Sequence, residues 1–151
     1  MRRTDREITD IVEIESILNG AMVCRIGLAD GNEPYIVPVC FGYLPGTIYL
    51  HSSLYGKKIA MVEKNPKVCF EVDQCDTILQ NEVPCVWGMR YRSIIGFGRA
   101  SLIADNTEKK QGLNCIIRHY GGSSYEFSDD EIKTVCVIRI DIDSMTGKKY
   151  N

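Results

Sequence analysis

The sequence predicts an antiparallel β-sheet or barrel with helices at its periphery. Short turns join consecutive β-prone segments, and strands do not alternate regularly with helices along the chain. Strands joined by short turns pair antiparallel, whereas parallel strands need long crossover connections. A chain of 151 residues, of which 44% are apolar and 25% charged, suits one domain with its own core.

The first element is predicted to be an amphipathic helix. Thr4 and Glu7 have the spacing of a capping box, and apolar residues recur at nearly helical spacing over residues 8–18. The Asn-Gly pair at 19–20 is a natural helix end, because both residues tolerate the left-handed conformation.

Three strands joined by tight turns are predicted next. The Asp-Gly pair at 30–31 and the Pro-Gly pair at 45–46 supply the turns. Pro38 cannot donate a ladder hydrogen bond, so its strand is expected at a sheet edge or a bulge. The three strands are predicted over residues 21–28, 34–43 and 47–51.

The second half of the chain is predicted to add two helices and three strands. The Asn-Pro pair at 65–66 ends the first helix, because the residue before proline avoids the α region. Gly96 and Gly98 mark a bend or a close backbone approach in the long strand. The predicted elements are a helix over 56–63, a strand over 67–72, a loop over 73–82, a strand over 91–102, a helix over 107–120 and a strand over 135–142.

Composition excludes several classes of function. A net charge of −2 argues against a nucleic-acid-binding surface, where a basic excess is expected. No segment approaches the roughly 20 apolar residues that span a bilayer, and the first residues lack the apolar run of a signal peptide. We therefore expect a cytoplasmic protein without nucleic-acid or membrane partners.

The seven cysteines predict buried, reduced thiols. Their number is odd, no pair has C-x-x-C spacing, and most lie in apolar runs. Cys69, Cys75, Cys85 and His51 match no zinc-binding pattern, so no metal site is predicted.

The segment from His51 to Lys58 carries the strongest chemical signal. It joins a strand end to a helix start, where unpaired N–H groups and the helix dipole suit a phosphate. Serine hydroxyls at Ser52 and Ser53 add neutral donors, and ammonium groups at Lys57 and Lys58 offset phosphate charge. The alternative is that the lysines are solvated surface and that a serine only caps the helix.

Two strand segments are further candidates. Tyr91 and Ser93 share one face of a strand, and Arg92 on the other face suits two-point recognition of a phosphate. Around Pro38 an interrupted ladder leaves backbone groups free to face a planar heterocycle. The alternatives are a solvent-facing arginine and a plain edge strand. Trp87 is predicted to lie in a core or an interface rather than on a cofactor, and His119 to lie on the surface or to cap its helix.

In this order, the segments resemble the FMN-binding, pyridoxamine-5′-phosphate-oxidase-like family, and most closely its nitroimidazole-reductase-like branch. The match covers nearly the whole chain. The segments that carry it are Asp30-Gly31, Pro34 to Val39, Tyr49-Leu50-His51, Gly56-Lys57-Lys58, Asn65 to Phe70, Tyr91-Arg92-Ser93-Ile94, Gly96 to Ala100, and Thr146-Gly147-Lys148.

The resemblance implies a split β-barrel homodimer with FMN at the subunit interface. The residues implied at the isoalloxazine are Val37, Pro38 and Val39. Those implied on the ribityl-phosphate side are His51, Ser52, Ser53, Lys57 and Lys58. Those implied to complete the site, from the partner subunit, are Tyr91, Arg92 and Ser93. The resemblance also implies a role for His51 in reduction. The arginine-rich substrate signature of pyridoxamine phosphate oxidases is missing, so vitamin B6 oxidation is not expected.

The function implied is FMN-dependent reduction of a small planar acceptor, such as a nitroaromatic or a quinone. The flavin would carry the redox chemistry, so no protein nucleophile is needed. One alternative is a flavin carrier or sensor without turnover. Another is the same barrel binding deazaflavin or haem, with His51 as the candidate haem ligand.

Overall fold

The computed structural model describes residues 3–150, in which eight strands form one antiparallel sheet flanked by four α-helices. The strands are β1 (Glu7–Ile8), β2 (Cys24–Asp30), β3 (Glu33–Val39), β4 (Phe41–Leu44), β5 (Thr47–Ser52), β6 (Lys67–Leu79), β7 (Gly88–Leu102) and β8 (Cys136–Tyr150). The helices are α1 (Ile11–Gly20), α2 (Lys57–Lys64), α3 (Asn106–His119) and α4 (Asp129–Ile132). None of these helices is long and apolar enough to cross a bilayer.

The two edges of the sheet meet at Cys40. The strand order is β3-β2-β6-β7-β8-β5-β4, with β1 paired to β8, so β3 and β4 lie at opposite ends of the order. Only Cys40 separates these two strands in the chain. Two Cα steps cover at most about 7.6 Å, so the sheet must curl until its edges approach each other.

The main apolar core fills the inner face of the curled sheet. Phe70, Ile94 and Ile138 are among its fully buried side chains. The ring of Phe70 lies directly over Gly96, where a Cβ atom would overlap the ring carbons. The prediction that glycine here marks a close approach is confirmed.

Helices complete the core on both faces. α1 and α2 contribute inward side chains that include Leu18 and Val62. α3 packs on the opposite face, where Tyr49 and Val137 belong to a second cluster. A Cβ atom on Gly112 of α3 would lie 2.7 Å from the Tyr49 ring, so this helix approaches the sheet closely.

The end of α3 holds the corner at Cys40 in place. The ring of His119 lies 4.3 Å from that of Phe41, and its Nε2 lies 2.7 Å from the Ala21 carbonyl oxygen. Tyr120 accepts the Phe41 N–H and donates its hydroxyl to the Met22 carbonyl at 2.9 Å. The prediction that His119 lies on the surface or caps its helix is wrong, because the side chain is half-buried and its ring contacts these distant partners instead.

Much of the predicted element order is confirmed. The mainly antiparallel sheet with peripheral helices is observed. Gly31 and Gly46 have φ values of 58° and 82° in their turns, as such turns require. Pro38 lies in β3, which is an edge strand. The strand predicted over 34–43 is broken at Cys40 into β3 and β4.

The first helix and its end at Gly20 are confirmed, but its predicted start and cap are wrong. Residues 4–6 form a 3₁₀ turn, and Ile8 belongs to β1, where it pairs with Gly147. α1 begins at Ile11, and its cap is Asp10, whose carboxylate accepts the Val12 N–H at 2.9 Å. Burial of Ile8 against a glycine far along the chain outweighs the local capping signal.

Three strand boundaries are also corrected. The predicted loop over 73–82 continues as β6 to Leu79, with a register shift between Cys75 and Thr77. β7 begins at Gly88, and β8 runs on to Tyr150. The short helix α4, with a capping box between Ser128 and Glu131, was not predicted. These strand extensions have few inward apolar residues, so the alternation of apolar and polar residues that predicts a strand is absent there.

The cysteines are less buried than predicted. All seven are free thiols. The buried ones are Cys24, Cys115 and Cys136, and the exposed ones are Cys40, Cys75 and Cys85.

Replacement of Gly96 by alanine is expected to destabilise the fold. The added methyl group overlaps the Phe70 ring, and such overpacking costs about 1–3 kcal/mol of unfolding free energy. Gly27→Ala is the matched control, because its Cβ would meet Cys69 at an ordinary 3.6 Å. Urea denaturation of both variants measures the difference, and equal losses would contradict the close packing described.

Candidate functional site

A cradle forms between the free edge of β3 and the connection from β5 to α2, residues 51–58. Phe41 pairs with Leu50, so Cys40 and His51, the next residues outward, lie within about 13 Å of each other. At the other end of β3, Lys57 forms an ion pair with Glu33. The connection therefore follows the free edge of β3 from end to end.

The side chain of Lys57 contacts two residues of β3. Besides its ion pair with Glu33, its ammonium lies 4.9 Å from the centre of the Tyr35 ring. The carboxylate of Glu33 raises the pKa of the Lys57 ammonium. Both side chains of the pair are exposed, so this contact is weak, and a stronger anion can displace the carboxylate.

Lys58 is the cation that the cradle leaves without a counter-ion. It is half-buried, and within residues 3–150 it forms no ion pair. Burial lowers the pKa of its ammonium. A desolvated ammonium without a carboxylate is the group that a phosphate would complement.

The connection that leads to this lysine also carries hydroxyl and imidazole groups. Ser52 is half-buried at the end of β5, where it pairs with Cys136, while His51 and Ser53 are exposed. None of these three side chains makes a hydrogen bond to another described residue. Gly56, with φ 135°, caps α2 without a side-chain hydrogen bond, so the first N–H groups of the helix are open. The donor set fits a phosphate-bearing cofactor.

The edge strand presents its residues alternately to the two faces. Val37 and Val39 pack against the core, whereas Pro38 is exposed on the outer face. A ring lying along this edge would therefore meet the β3 backbone and Pro38 rather than the two valine side chains.

The third predicted group lies apart from the cradle. His51 pairs with Val137, and Ser93 pairs with Lys148, eleven residues further along β8, or about 36 Å of strand. Three inter-strand spacings, about 14 Å, separate β3 from β7 across the sheet. One chain therefore gathers the cradle residues but does not bring Tyr91, Arg92 and Ser93 to them.

Arg92 lines a polar cavity of about 220 Å³ near α1. In this cavity Lys149 forms an ion pair with Glu13 at 2.8 Å. Arg92 is exposed and has no ion-pair partner among the described residues. The other lining residues are Gln74, Asp76, Arg90 and Tyr91.

The outer face beside the cradle is apolar and exposed. Ile36 of β3 is 69% exposed and Phe97 of β7 is 55% exposed, and both line one open groove. Ile95 and Met89 lie on the same face of β7, at alternate positions from Phe97. The sequence analysis did not identify this face. The sequence signal for it is that β7 carries apolar residues on both of its faces: Ile94 is buried on the inner face, while Ile95 and Phe97 lie on the outer face.

No group of three or more His, Cys, Asp or Glu side chains within residues 3–150 is arranged to hold a metal ion. Cys69, Cys75, Cys85 and His51 are not gathered into such a group.

Sequence and structure comparisons give consistent results. Residues 10–149 match the profile of the family described as pyridoxamine 5′-phosphate oxidase. The fold is similar to that of a candidate 5-nitroimidazole antibiotic resistance protein from Bacteroides thetaiotaomicron. That similarity has a TM-score of 0.84 and 36% identity, over 94% of this chain and 85% of the other. Among proteins with curated functions, none matches the sequence.

More distant structures share the fold. The flavocytochrome Anf3 from Azotobacter vinelandii has a TM-score of 0.85 at 20% identity, over 100% of this chain and 72% of that one. An FAD- and heme-binding protein from Mycobacterium smegmatis has a TM-score of 0.81 at 17% identity, over 97% and 74% of the two chains. At these identities the likeness is one of fold.

The lowered pKa of Lys58 predicts a pH-dependent effect of its replacement. The ammonium's ordinary pKa is 10.5, and the folded chain holds the proton more weakly than the unfolded chain. The charge therefore opposes folding at neutral pH, and this penalty disappears as the pH rises through the lowered pKa toward 10.5. Lys58→Met should stabilise the ligand-free protein at neutral pH, with an advantage that shrinks at alkaline pH.

Urea denaturation across this pH range measures the effect. Lys64→Met is the control, because Lys64 is exposed, ion-paired with Asp30 and has a raised pKa. This control should give no gain at neutral pH. An advantage of Lys58→Met that does not change with pH would contradict the burial argument.

Proposed function

Since this chain belongs to the pyridoxamine 5′-phosphate oxidase family, we propose that it is an FMN-dependent reductase of a small planar acceptor, built as a homodimeric split β-barrel. The observation that carries the proposal is the half-buried Lys58 ammonium without a counter-ion, beside the open hydroxyl groups of the cradle. The cytoplasmic location stays a prediction from the sequence.

The cradle residues divide the binding of FMN between them. Lys58 and Ser52 would hold the phosphate, with Ser53, Lys57 and the first N–H groups of α2 beside them. The edge of β3 from Val37 to Val39 would support the ring through its backbone and Pro38. When bound, FMN supplies the transfer of electrons to an acceptor, which side chains alone do not provide.

Two observations support a homodimer. The cradle lacks Tyr91, Arg92 and Ser93, which one chain holds about 14 Å across the sheet or further. The exposed apolar face around Ile36 and Phe97 adjoins the cradle. Apolar patches of this kind mark interaction sites, and two-fold symmetry would bring each chain's missing group to the other chain's cradle.

His51 is the residue proposed to act in reduction. Its side chain is exposed at the end of β5, where the cradle begins. A quinone that takes up two electrons also takes up two protons, and an imidazole at this position can deliver one of them. The relative described as a candidate nitroimidazole resistance protein supports nitroaromatic acceptors as a second class to test.

The reductase function is tested by anaerobic reoxidation. The FMN-loaded protein is photoreduced and then mixed with menadione or metronidazole, and the return of oxidised flavin absorbance is recorded. We expect reoxidation faster than that of free reduced FMN at the same concentration. If, with each acceptor, the protein is reoxidised no faster than free reduced FMN, the reductase function is contradicted and the flavin carrier remains.

The haem alternative is distinguished by the absorbance spectrum of the purified protein. More distant structures of this fold include a flavocytochrome and an FAD- and heme-binding protein. A Soret band that is lost in His51→Ala would favour haem, whereas a flavin spectrum that releases FMN on denaturation favours our proposal. If denaturation releases a deazaflavin, the cofactor assignment changes from FMN to deazaflavin, while the cradle remains the proposed binding site.

Lys58→Ala and Arg92→Ala are expected to weaken FMN binding. Loss of a charged hydrogen bond to phosphate costs about 1.5–3 kcal/mol, or roughly 10- to 150-fold in Kd. Lys64→Ala and Arg99→Ala are matched controls, because Lys64 pairs with Asp30 and Arg99 is exposed elsewhere on β7. Fluorescence titration of FMN measures Kd. Unchanged affinity in both test variants would show that the site assignment is wrong.

A further inference from the structure

The hairpin formed by the ends of β6 and β7 extends beyond the core. The buried pair nearest the tip of this hairpin is Val72 with Ile94. Beyond that pair, residues 77–90 form an arm that the core does not cover. Its exposed apolar side chains are Ile78, Val83, Val86, Trp87 and Met89.

The tip of the arm holds an indole ring in place. Trp87 donates its Nε1–H to the Asn81 carbonyl at 2.7 Å, and its backbone N–H to the Pro84 carbonyl at 3.1 Å. The Asn81 side chain also accepts the Val83 N–H at 3.0 Å. The ring is thus oriented by backbone partners while it remains 48% exposed. A fixed and exposed aromatic surface is a ready contact, because little conformational freedom is lost when it binds.

This indole cannot serve the cradle of its own chain. Trp87 lies six residues beyond Ser93, which corresponds to about 20 Å of strand directed away from the core. Ser93 is itself separated from β3 by three inter-strand spacings. Any ligand in a cradle that Trp87 contacts must therefore belong to a different copy of the chain.

We propose that the arm reaches onto a second copy of the chain, where Trp87 forms an apolar wall against the planar acceptor in that copy's cradle. This inference rests on the proposed function. If Tyr91 to Ser93 complete the partner's cradle, the arm lies at the same cradle, because it continues directly from Tyr91. Met89 and Tyr91 share one face of β7 with Ile95, so the apolar outer face continues from the sheet onto the arm.

The composition of the arm indicates the class of acceptor. Residues 77–90 contain one carboxylate, Glu82, and one guanidinium, Arg90, so the arm has no net charge. Its exposed surface is otherwise largely apolar. An uncharged aromatic ring, stacked on the indole, fits this surface better than a phosphorylated substrate.

Tryptophan fluorescence tests the location of the arm without relying on activity. Trp87 is the single tryptophan of the chain, so all tryptophan emission comes from the arm tip. Titration of apoprotein with FMN should quench this emission strongly, because energy transfer to a flavin decreases steeply with distance. Weak quenching at full FMN occupancy would overturn the proposal.

A second variant separates failure of the inference from failure of the proposed function. In the double variant Tyr55→Trp, Trp87→Phe, the reporter lies in the cradle, where Tyr55 is 85% exposed. Quenching of this reporter without quenching of Trp87 would leave FMN in the cradle and overturn only the arm assignment. Quenching of neither would contradict the proposed FMN site, and with it the inference.

Subunit complementation tests whether the arm acts on the partner. Trp87→Ala should raise the KM for menadione about tenfold at unchanged FMN affinity, whereas Lys58→Ala should lose FMN. After random subunit exchange, about one quarter of the sites combine an intact cradle with an intact partner arm. We expect wild-type KM in that fraction, measured at FMN concentrations too low to load Lys58→Ala. No recovery would overturn action across the dimer.

Discussion

The single-residue connection at Cys40 is the constraint on which this structure depends. It joins the two strands that lie at opposite ends of the sheet order, so the sheet cannot be flat. Curling creates the enclosed face that holds the main core, and it brings β5 and its connection to α2 alongside β3. The contacts that His119 and Tyr120 make with Phe41 and with the residues before β2 fix this corner from outside. The cradle is therefore a result of how the sheet is connected.

The residues proposed to bind FMN and those proposed to complete the site lie in different parts of the chain. Cations and hydroxyl groups lie on one short connection, whereas Tyr91 to Ser93 lie on β7 at the base of the arm. In the proposed homodimer, assembly would supply the missing half. The proposed homodimer with FMN would explain both the exposed outer face and the uncompensated charge of Lys58, since a partner would cover the first and a phosphate would neutralise the second.

Sequence patterns predicted those features that depend on neighbouring residues. Gly31 and Gly46 were recognisable because turns need positive φ, and Pro38 because proline disrupts a ladder. Features that depend on distant partners were missed. Ile8 is a strand residue because Gly147 leaves room for it, and His119 is half-buried because Ala21 and Phe41 lie beside it.

The family resemblance is confirmed. That Val37 and Val39 face inward could not be read from their motif, because the face depends on pairing register. The roles of the site residues stay predictions.

The arm also bears on how proteins of this kind diversify. Because the apolar residues of the arm do not contribute to the core, substitutions or changes of length there should lower the free energy of unfolding only slightly. The Phe70–Gly96 contact, in contrast, leaves little freedom to either residue. If the proposed contact of Trp87 with the acceptor holds, variation in substrate range can accumulate at the arm tip while the scaffold stays unchanged. Residues 77–90 would then be the natural place to build a library for directed evolution.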